Sequence, residues 1–242
     1  MKNSNCLILI PAFNESKNIG EVLRGIRDMN IEVDILVIND GSTDQTADVV
    51  KKADEEIINL PYNLGYGGAL QTGFKYAAIK GYQYVLQFDA DGQHDSSNIP
   101  QILEELRTGN YDIIIGSRFL ASGVNISLLK RMAILLFRLL IKLFTGNKIT
   151  DPTSGLQGLT RRAYTHYALM GNYPEDFPDA DTLIASMILG FRIKEIPANF
   201  RNRYSGKGMH SGLSSGFYLL KMLVSILVVL LRRENKDAGV IN

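Results

Sequence analysis

Three carboxylates and a histidine lie within the eight residues FDADGQHD, from Phe88 to Asp95. The apolar run YQYVLQF leads into this stretch, which predicts that it begins where a buried strand ends. Residues two apart face the same side of an extended chain, so Asp89 and Asp91 could both bind one cation. Oxygen ligands suit Mg²⁺ or Mn²⁺, with substrate phosphates completing the site. Gln93, two residues further on, could add a carbonyl oxygen to this predicted metal site.

Two other kinds of site begin with a similar pattern. A calcium loop starting at Asp89 would need glycine at its sixth position and glutamate at its twelfth, where the chain has His94 and Pro100. FDADGQ also resembles the DxDGT motif of aspartyl-phosphate phosphatases, but Gln93 replaces the threonine and 88 residues of α/β pattern precede the motif. The phosphatase class is kept as an outside alternative, and we interpret His94 and Asp95 as ordinary turn residues.

The composition limits the classes of protein that remain. With 242 residues, 45% of them hydrophobic and 21% charged, the chain can bury a large core, which argues against disorder. A formal net charge of +1 gives no basis for predicting nucleic-acid binding. Cys6 is the single cysteine, which excludes an intrachain disulfide and indicates a reducing compartment. The apolar run before Pro11 is too short for a signal peptide, so we expect a cytoplasmic protein body.

The first half of the chain alternates apolar runs with helical patterns. This alternation predicts an α/β fold with a mostly parallel central sheet flanked by helices. Such sheets bind ligands beyond the C-terminal ends of their strands, where this chain carries PAFNE, NDGSTD, DADGQHD and GSR. We therefore expect one cleft to hold all four motifs. The predicted strands are 6–12, 33–40, 84–91 and 112–117, and the predicted helices are 15–29, 44–53, 69–79 and 98–107.

The segment 124–147 differs from what precedes it. It contains no acidic residue and four basic ones, Lys130, Arg131, Arg138 and Lys142. At about 100° per residue these four fall within roughly 120° of arc and leave the rest of the helix apolar. A core helix with one wet stripe is an alternative, but the apolar arc is wider than one core face needs. We predict a basic amphipathic helix on a membrane surface with anionic lipid.

A second apolar segment lies near the C-terminus. Its apolar stretch from 213 to 231 has 19 residues, interrupted by Lys221, against about 20 needed to cross a bilayer. We predict an interfacial helix whose basic residues, including Arg232 and Arg233, reach the headgroups. The chain is thus divided into an α/β domain, 1–212, and a membrane-associating helix and tail, 213–242.

Five motifs in order carry a resemblance to a known family. PAFNE, NDGSTD, DADGQHD, DPTSGLQ and RYSGK resemble motifs of family 2 glycosyltransferases of the GT-A fold. The resemblance is closer to the branch of polyprenyl-phosphate glycosyltransferases that includes dolichol-phosphate mannose synthase, and it extends to about His210. It implies a Rossmann-like sheet and transfer of a sugar from a nucleotide.

The resemblance also implies a nucleotide site. Asp40 would recognise the base or ribose, although the family usually has two aspartates before Gly-Ser and this chain has Asn39 first. Residues of RYSGK would close over the diphosphate, with Gly208 where a serine is common. The implied nucleotide-binding residues are Pro11, Phe13, Glu15, Asp40, Asp89, Ala90, Arg203 and Lys207, and the implied metal ligands for Mg²⁺ or Mn²⁺ are Asp89, Asp91 and Gln93.

An acceptor site is implied on the other side of the cleft. The implied residues for an acceptor phosphate are Arg118, Lys130, Arg131, Asp151 and Ser154. The loop YPEDFPDAD carries four carboxylates near the family's catalytic base, at Glu175, Asp176, Asp179 and Asp181, and of these we choose Asp181. The implied catalytic set is Asp91, Arg118, Arg131 and Asp181. Negative charge near Asp179 would also suit a helix N-terminus in any protein.

These features predict metal-dependent, inverting transfer of a UDP- or GDP-linked sugar to undecaprenyl or dolichyl phosphate at the cytoplasmic membrane face. A phosphate monoester has a second pKa of about 6, so the acceptor would need no strong base. Transfer to a growing glycan and a nucleotide-sugar-binding scaffold subunit are the alternatives. The sugar, the base, and a small membrane partner protein or a second copy of the chain are left open.

Overall fold

The computed structural model describes residues 4–121, 126, 128–174, 178–201 and 214–231. Its strands are β1 Cys6–Ala12, β2 Asp34–Asn39, β3 Glu56–Asn59, β4 Tyr84–Gln87, β5 Ile113–Ser117, β6 Gln157–Thr160 and β7 Ile193–Pro197. In the described part they form one sheet in the order β3, β2, β1, β4, β6, β5, β7. Only β6 is antiparallel to its neighbours, β4 and β5. The predicted α/β fold with a mostly parallel sheet is confirmed.

Helices cover both faces of the sheet. They are α1 Ile19–Arg27, α2 Thr46–Lys52, α3 Tyr66–Lys80, α4 Ile99–Arg107, α5 Leu128–Thr145, α6 Arg161–Ala168, α7 Ala180–Ile188 and α8 Ser214–Leu231. A 3-10 turn, Ser96–Asn98, precedes α4. The four helices predicted in the first half are all present, and α3 begins three residues before its predicted start.

Alternate residues of β1 face two separate hydrophobic cores. Leu7 and Leu9 pack with Phe74 and with residues of α3, α5, α6, α7 and α8. Ile8 and Ile10 face the opposite core, which is built from α1, α2 and α4. All four strand residues are 0% exposed. A strand covered on both faces needs no polar residues, which explains the unbroken apolar sequence LILI.

Three strands were not predicted from the sequence. The strands β3, β6 and β7 have four or five residues each, and β3 is half exposed at the sheet edge. Such short, mixed sequences lack the apolar runs that revealed the other four strands. The direction of β6 has a consequence for the site. Because β6 is antiparallel, the loop 151–155 that precedes it lies at the edge where β4 and β5 end.

The helix α5 lies within the predicted segment 124–147 and exposes an apolar surface. Its core face is Ile134, Phe137 and Ile141. We call the opposite surface the outer stripe of α5, because its members recur every three or four residues and are 52% to 74% exposed. The outer stripe consists of Leu128, Met132, Leu135, Leu139 and Leu143.

The helix α8 packs on α7 and is also partly exposed. Met222 and Ile226 are buried, whereas Leu223, Val224, Leu227, Val228 and Leu231 are exposed. Lys221 is exposed as well. Within the described part of the chain, no helix combines the length and the apolar character needed to cross a membrane.

Candidate functional site

The loops after β1 and β2 are joined to each other by hydrogen bonds. The side-chain oxygen of Asn14 accepts from the backbone N–H groups of Thr43, at 2.9 Å, and Asp44, at 3.3 Å. In return, the N–H of Asn14 donates to the Ser42 hydroxyl at 2.9 Å. Asn14 has a φ of 55°, a left-handed conformation that asparagine tolerates better than most residues. PAFNE and NDGSTD therefore form one continuous surface, as predicted.

The carboxylate of Asp40 lies under a segment that the sequence analysis did not include. Its Oδ1 accepts from the backbone N–H of Leu64 at 2.7 Å, and burial raises the pKa of Asp40. Gly41 has a φ of 69°, and a Cβ there would lie 2.7 Å from backbone atoms of Tyr62 and Asn63. Only glycine therefore allows the segment 62–64 to pass so close to Asp40.

The three residues predicted from PAFNE have different environments. Pro11 is buried in β1, and Phe13 is 47% exposed. The Glu15 carboxylate accepts from the Asn18 side chain at 2.5 Å, while its backbone N–H donates to Thr46. An exposed aromatic ring at a strand end can stack on a base, so Phe13 is the member of this group best placed for a ligand.

Both oxygens of Asp89 are held by side chains, one from helix α3 and one from the same loop. The Tyr66 hydroxyl donates to Oδ1 at 2.9 Å, and Nε2 of His94 is 2.7 Å from Oδ2. Burial alone would raise the pKa of Asp89, but His94, Tyr66 and the more distant Arg118 together lower it. Gly155 lies against this carboxylate, because a Cβ there would be 2.6 Å from Oδ2. Asp89 is therefore ionised and fixed in place.

The expectation for His94 is corrected by these contacts. His94 is 6% exposed, and its ring packs between Phe88 and Phe200 at centroid distances of 5.3 and 4.9 Å. It is a buried partner of Asp89, not an ordinary turn residue. Asp95 caps the start of the 3-10 turn Ser96–Asn98, since its carboxylate accepts from the Ser97 N–H at 3.0 Å. Nothing in the local sequence pattern distinguishes these two residues.

Asp91 and its neighbours provide oxygen donors for a cation. Asp91 is 6% exposed, and its Oδ1 accepts from the backbone N–H of Gln93 at 2.9 Å. Ala90 between the two aspartates is buried in the core. No group of three or more His, Cys, Asp or Glu side chains that could hold a metal occurs among the described residues. Two carboxylates still fit Mg²⁺ or Mn²⁺, because substrate phosphates normally supply further ligands.

Arg118 makes a two-pronged ion pair with Asp151. Its Nε and Nη2 donate to the two carboxylate oxygens at 2.8 and 2.7 Å, and Nη2 also donates to the Thr153 hydroxyl at 2.8 Å. The Asp151 side chain is 0% exposed and that of Arg118 is 13% exposed. Burial lowers the pKa of Arg118, but Asp151 reverses this effect and raises it. Arg118 is thus a fixed positive charge at the end of β5.

The loop 151–155 supports Arg118 from behind. The Ser154 hydroxyl is buried and donates to the Gly116 carbonyl at 2.6 Å, which holds the loop on β5. Asp151 and Ser154 were expected to contact an acceptor phosphate. Their hydrogen bonds instead place Asp151 against Arg118 and Ser154 against the backbone. Of Arg118, Asp151 and Ser154, it is Arg118 whose positive charge suits binding of an anion.

The basic residues of α5 do not share one environment. Lys130 is exposed, and partial desolvation together with the charge of Arg118 lowers its pKa. Arg131 is exposed. Arg138 is half-buried; its Nε donates to the Thr150 carbonyl at 2.7 Å, and its guanidinium lies 4.5 Å from the Phe119 ring centroid. Arg138 therefore does not share the basic face that the sequence predicted for Lys130, Arg131, Arg138 and Lys142.

Two acidic residues at the start of α7, Asp179 and Asp181, lie in different environments. Asp181 is 1% exposed, its carboxylate accepts from the Ser225 hydroxyl of α8, and burial raises its pKa despite these bonds. Asp179, by contrast, lies close enough to Arg118 and Lys130 for its negative charge to oppose the effect of burial, which lowers the pKa of each. Asp181 therefore links α7 to α8. Asp179 instead lies near the basic residues of the cleft.

Some predicted residues lie outside the described part of the chain. These are Glu175, Asp176, Arg203 and Lys207. Of the residues that are described, Asp89, Asp91, Arg118 and Lys130 influence one another electrostatically, so the motifs do converge. Tyr66 was missed because it reaches the site from another element, 23 residues away in the sequence. His94 and Thr153 lie within quoted motifs, but nothing in the pattern indicated their contacts with Asp89 and Arg118.

Comparisons with known proteins agree with this geometry. The family model described as Glycosyl transferase family 2 matches residues 7–168. The undecaprenyl-phosphate mannosyltransferase of Micrococcus luteus is 32% identical over 216 residues, which covers 85% of this chain and 87% of that protein. The UDP-N-acetylglucosamine–dolichyl-phosphate N-acetylglucosaminyltransferase of Methanococcus voltae is 30% identical over 175 residues, covering 64% of this chain and 69% of the relative.

A solved structure shares the fold. Glucosyl-3-phosphoglycerate synthase from Mycobacterium tuberculosis, in complex with Mn²⁺ and uridine-diphosphate-glucose, superimposes with a TM-score of 0.67 at 18% sequence identity. The match covers 97% of this chain and 82% of the solved chain. At this identity the likeness establishes the architecture of the sheet and helices.

Proposed function

The chain belongs to glycosyl transferase family 2, and from that premise we propose that it transfers a sugar from a nucleotide sugar to the phosphate of a polyprenyl phosphate. Relatives with sequence identities of 30% and 32% are named for transfer to dolichyl and undecaprenyl phosphate. The donor would be a UDP- or GDP-linked sugar. Pro11, Phe13, Glu15, Asp40, Ala90, Arg203 and Lys207 are the proposed nucleotide-binding residues in addition to Asp89.

One observation carries the choice of acceptor. Arg118 is fixed by Asp151 at the end of β5, and Lys130, whose pKa it lowers, belongs to the first turn of α5. The same helix carries the outer stripe of exposed leucines and methionine. Paired cations at the start of a helix that also exposes an apolar surface fit a ligand with a phosphate head and a hydrocarbon tail. Arg131, exposed on the next position of α5, is proposed to assist them.

A divalent cation is part of the proposal. Asp89, Asp91 and Gln93 would hold Mg²⁺ or Mn²⁺, and the donor set of carboxylate and amide oxygens suits either ion. When bound, the ion would neutralise charge on the departing diphosphate as a Lewis acid. Tyr66 and His94 would keep the Asp89 carboxylate ionised and correctly oriented throughout.

The bonds that change define an inverting transfer. An oxygen of the acceptor phosphate attacks the anomeric carbon, and the bond from that carbon to the diphosphate breaks with its electron pair leaving on the nucleoside diphosphate. Arg118 and Lys130 would orient the attacking phosphate. At neutral pH a phosphate monoester is mostly dianionic, so it brings no proton that a base must remove. A catalytic base at Asp181 is therefore not required, which agrees with its bonds to Ser225 and Thr182.

The enzyme is proposed to work at the cytoplasmic membrane face as a peripheral protein. The outer stripe of α5 would enter the headgroup region, with Arg131 and Lys142 near anionic lipid. The exposed residues of α8 would add apolar area to this contact or bind a small membrane partner or a second copy.

An assay with radiolabelled donors tests this proposal. Purified protein is incubated with Mg²⁺ or Mn²⁺ and a panel of UDP- and GDP-sugars, with and without undecaprenyl phosphate. We expect label in the organic phase only when the lipid phosphate is present. Label on a soluble glycan would favour the growing-glycan alternative. Free phosphate without nucleoside diphosphate would indicate a phosphatase, and nucleotide-sugar binding without turnover would indicate a scaffold.

Matched variants sharpen the same assay. Asp91→Asn and Arg118→Ala should each lower transfer by about 100-fold or more, as removal of a charged transition-state contact typically does. Arg24→Ala is the control, because Arg24 is an exposed arginine in a surface ion pair with Glu21. Wild-type transfer by both site variants would show that the site is wrongly assigned.

A further inference from the structure

Glu195 on β7 binds the loop that carries Asp151. Its Oε2 accepts from the backbone N–H of Thr150 at 2.6 Å. Its Oε1 accepts from the backbone N–H of Asp151 at 2.7 Å and from the Thr150 hydroxyl at 3.0 Å. One carboxylate on β7 thus fixes two consecutive peptide groups, those of Thr150 and Asp151. Neither the family resemblance nor the mechanism above gives Glu195 a role.

The contacts continue from this loop to the proposed acceptor site. The Asp151 carboxylate accepts from Nε, Nη2 and the backbone N–H of Arg118, the last at 3.0 Å. The Thr150 hydroxyl is 2.6 Å from that of Ser117, the residue before Arg118. Moving the peptide groups at 150 and 151 would therefore turn the guanidinium. Within the described residues, no hydrogen bond involves Nη1 of Arg118, which leaves that nitrogen for a ligand.

Glu195 is electrostatically unfavourable where it lies. Burial raises the pKa of Glu195, the two N–H groups and the Thr150 hydroxyl oppose this, and the negative charge of Asp151 raises it further. Two neighbouring carboxylates are costly in a partly buried position. A neutral side chain would avoid this repulsion if the only need were to pack the loop. The closeness of the two carboxylates is explained if both Glu195 and Asp151 are needed to orient Arg118.

We propose that Glu195 is a positioning residue for the acceptor site, which sets the orientation of Arg118 by fixing the backbone of Thr150 and Asp151. The proposal rests on the proposed function, since it assigns Arg118 to the acceptor phosphate. Glu195 itself touches neither substrate. Its loss should affect acceptor binding far more than donor binding.

The main test is Glu195→Gln. An amide cannot accept from both N–H groups, because its nitrogen would face one of them. We expect KM for undecaprenyl phosphate to rise about tenfold, while KM for the nucleotide sugar and the melting temperature stay close to wild type. The control is Glu105→Gln, which removes a carboxylate from the ion pair with Lys194, the residue before Glu195. The control should leave both KM values unchanged.

A double-mutant cycle separates positioning from general support. In an Arg118→Ala background, adding Glu195→Gln should produce no further rise in acceptor KM, because the group being positioned is already gone. Additive effects would overturn the proposal, as would an equal rise in both KM values. If Glu195→Gln does not fold, Glu195→Asp replaces it, with a smaller rise in acceptor KM expected and no change contradicting the proposal. Absence of any lipid product from the wild-type protein would instead refute the proposed function.

Discussion

Individual charged residues of the site are each fixed by side-chain partners, of which Tyr66 and Asp151 come from distant parts of the chain and His94 from the same loop. Asp89 is held by Tyr66 and His94, and Arg118 is held by Asp151. A side chain fixed in this way loses little freedom when its ligand arrives, which favours tight and oriented binding. The same contacts keep Asp89 ionised, because they lower its pKa against the effect of burial.

Gly155→Ala tests how closely Asp89 is packed. The added methyl carbon would lie 2.6 and 2.9 Å from the two Asp89 oxygens and 3.0 Å from the Tyr66 hydroxyl, so the carboxylate must move. We expect kcat/KM for the nucleotide sugar to fall roughly 100-fold, the effect of displacing a catalytic group by about 1 Å. Gly25→Ala on α1 is the control, since its methyl would meet only the Ser96 hydroxyl at 3.6 Å. Equal activity of the two variants would contradict the packing argument.

The lowered pKa of Lys130 predicts a pH effect on acceptor use. Lysine is charged below its pKa, so Lys130 loses its charge as pH rises through a value below its ordinary 10.5. We expect kcat/KM for undecaprenyl phosphate, which reports the free enzyme, to decline in the alkaline range. In Lys130→Arg this decline should disappear, because arginine stays charged. Identical profiles of the two proteins would show that Lys130 does not contact the acceptor.

The sequence predicted the motif residues better than their partners. Asp89 and Asp91 follow an apolar run, so the strand end and the residue type were enough to find them, whereas the role of Arg118 came from the family resemblance. Tyr66, His94 and Glu195 carry no such signal. Tyr66 begins a helix and Glu195 lies in a short edge strand, and both act through contacts that span 23 residues or more. Only the packed chain reveals such pairs.

At the scale of elements, β6 and α5 decide what surrounds the cleft. The strands β1, β2, β4 and β5 were predicted from their apolar runs, but the antiparallel direction of β6 was not, because nothing local encodes it. That direction brings the loop 151–155 between Asp89 and Arg118. The helical period of α5 was also predicted, yet only the structure separates its core face from its outer stripe and turns Arg138 inward.

The outer stripe of α5 predicts binding to lipid vesicles. Leu135→Glu should weaken binding to vesicles containing anionic lipid roughly tenfold, since burial of a leucine is worth about 1.5–3 kcal/mol. Ile79→Glu on α3 is the matched control, with the same added charge at a side chain that is 84% exposed. Co-sedimentation measures both. An equal loss in the two variants would mean that the effect comes from charge alone and that the outer stripe does not bind lipid.

The hydrogen bond between α7 and α8 predicts a stability effect. Ser225→Ala removes the hydroxyl that donates to the buried Asp181 carboxylate, leaving this charge with one partner fewer. We expect the free energy of unfolding to fall by about 1–3 kcal/mol. Thr165→Ala is the control, because the Thr165 hydroxyl donates to carbonyls of its own helix. If calorimetry finds the same free energy of unfolding for Ser225→Ala and Thr165→Ala, the bond to Asp181 does not stabilise the packing of α8 on α7.

At the scale of the whole molecule, one sheet edge brings the residues proposed for the donor and those proposed for the acceptor together. The loop after β2 supplies Asp40, the loop after β4 supplies Asp89 and Asp91, and the loop after β5 supplies Arg118. The order of strands reverses between β1 and β4, which is where open α/β sheets bind their ligands. The start of α5 brings Lys130 near Arg118, and the same helix exposes its outer stripe elsewhere on its surface, so one element carries both features that the proposed lipid phosphate requires.

The mass of the lipid product tests the central claim most directly. Transfer through attack on the anomeric carbon predicts undecaprenyl phosphate enlarged by one sugar residue, with a single phosphate and an equal amount of nucleoside diphosphate released. Mass spectrometry of the organic phase and chromatography of the nucleotides measure both. A product carrying a second phosphate, with nucleoside monophosphate released, would contradict the account, as would the absence of a sugar-bearing lipid with every donor.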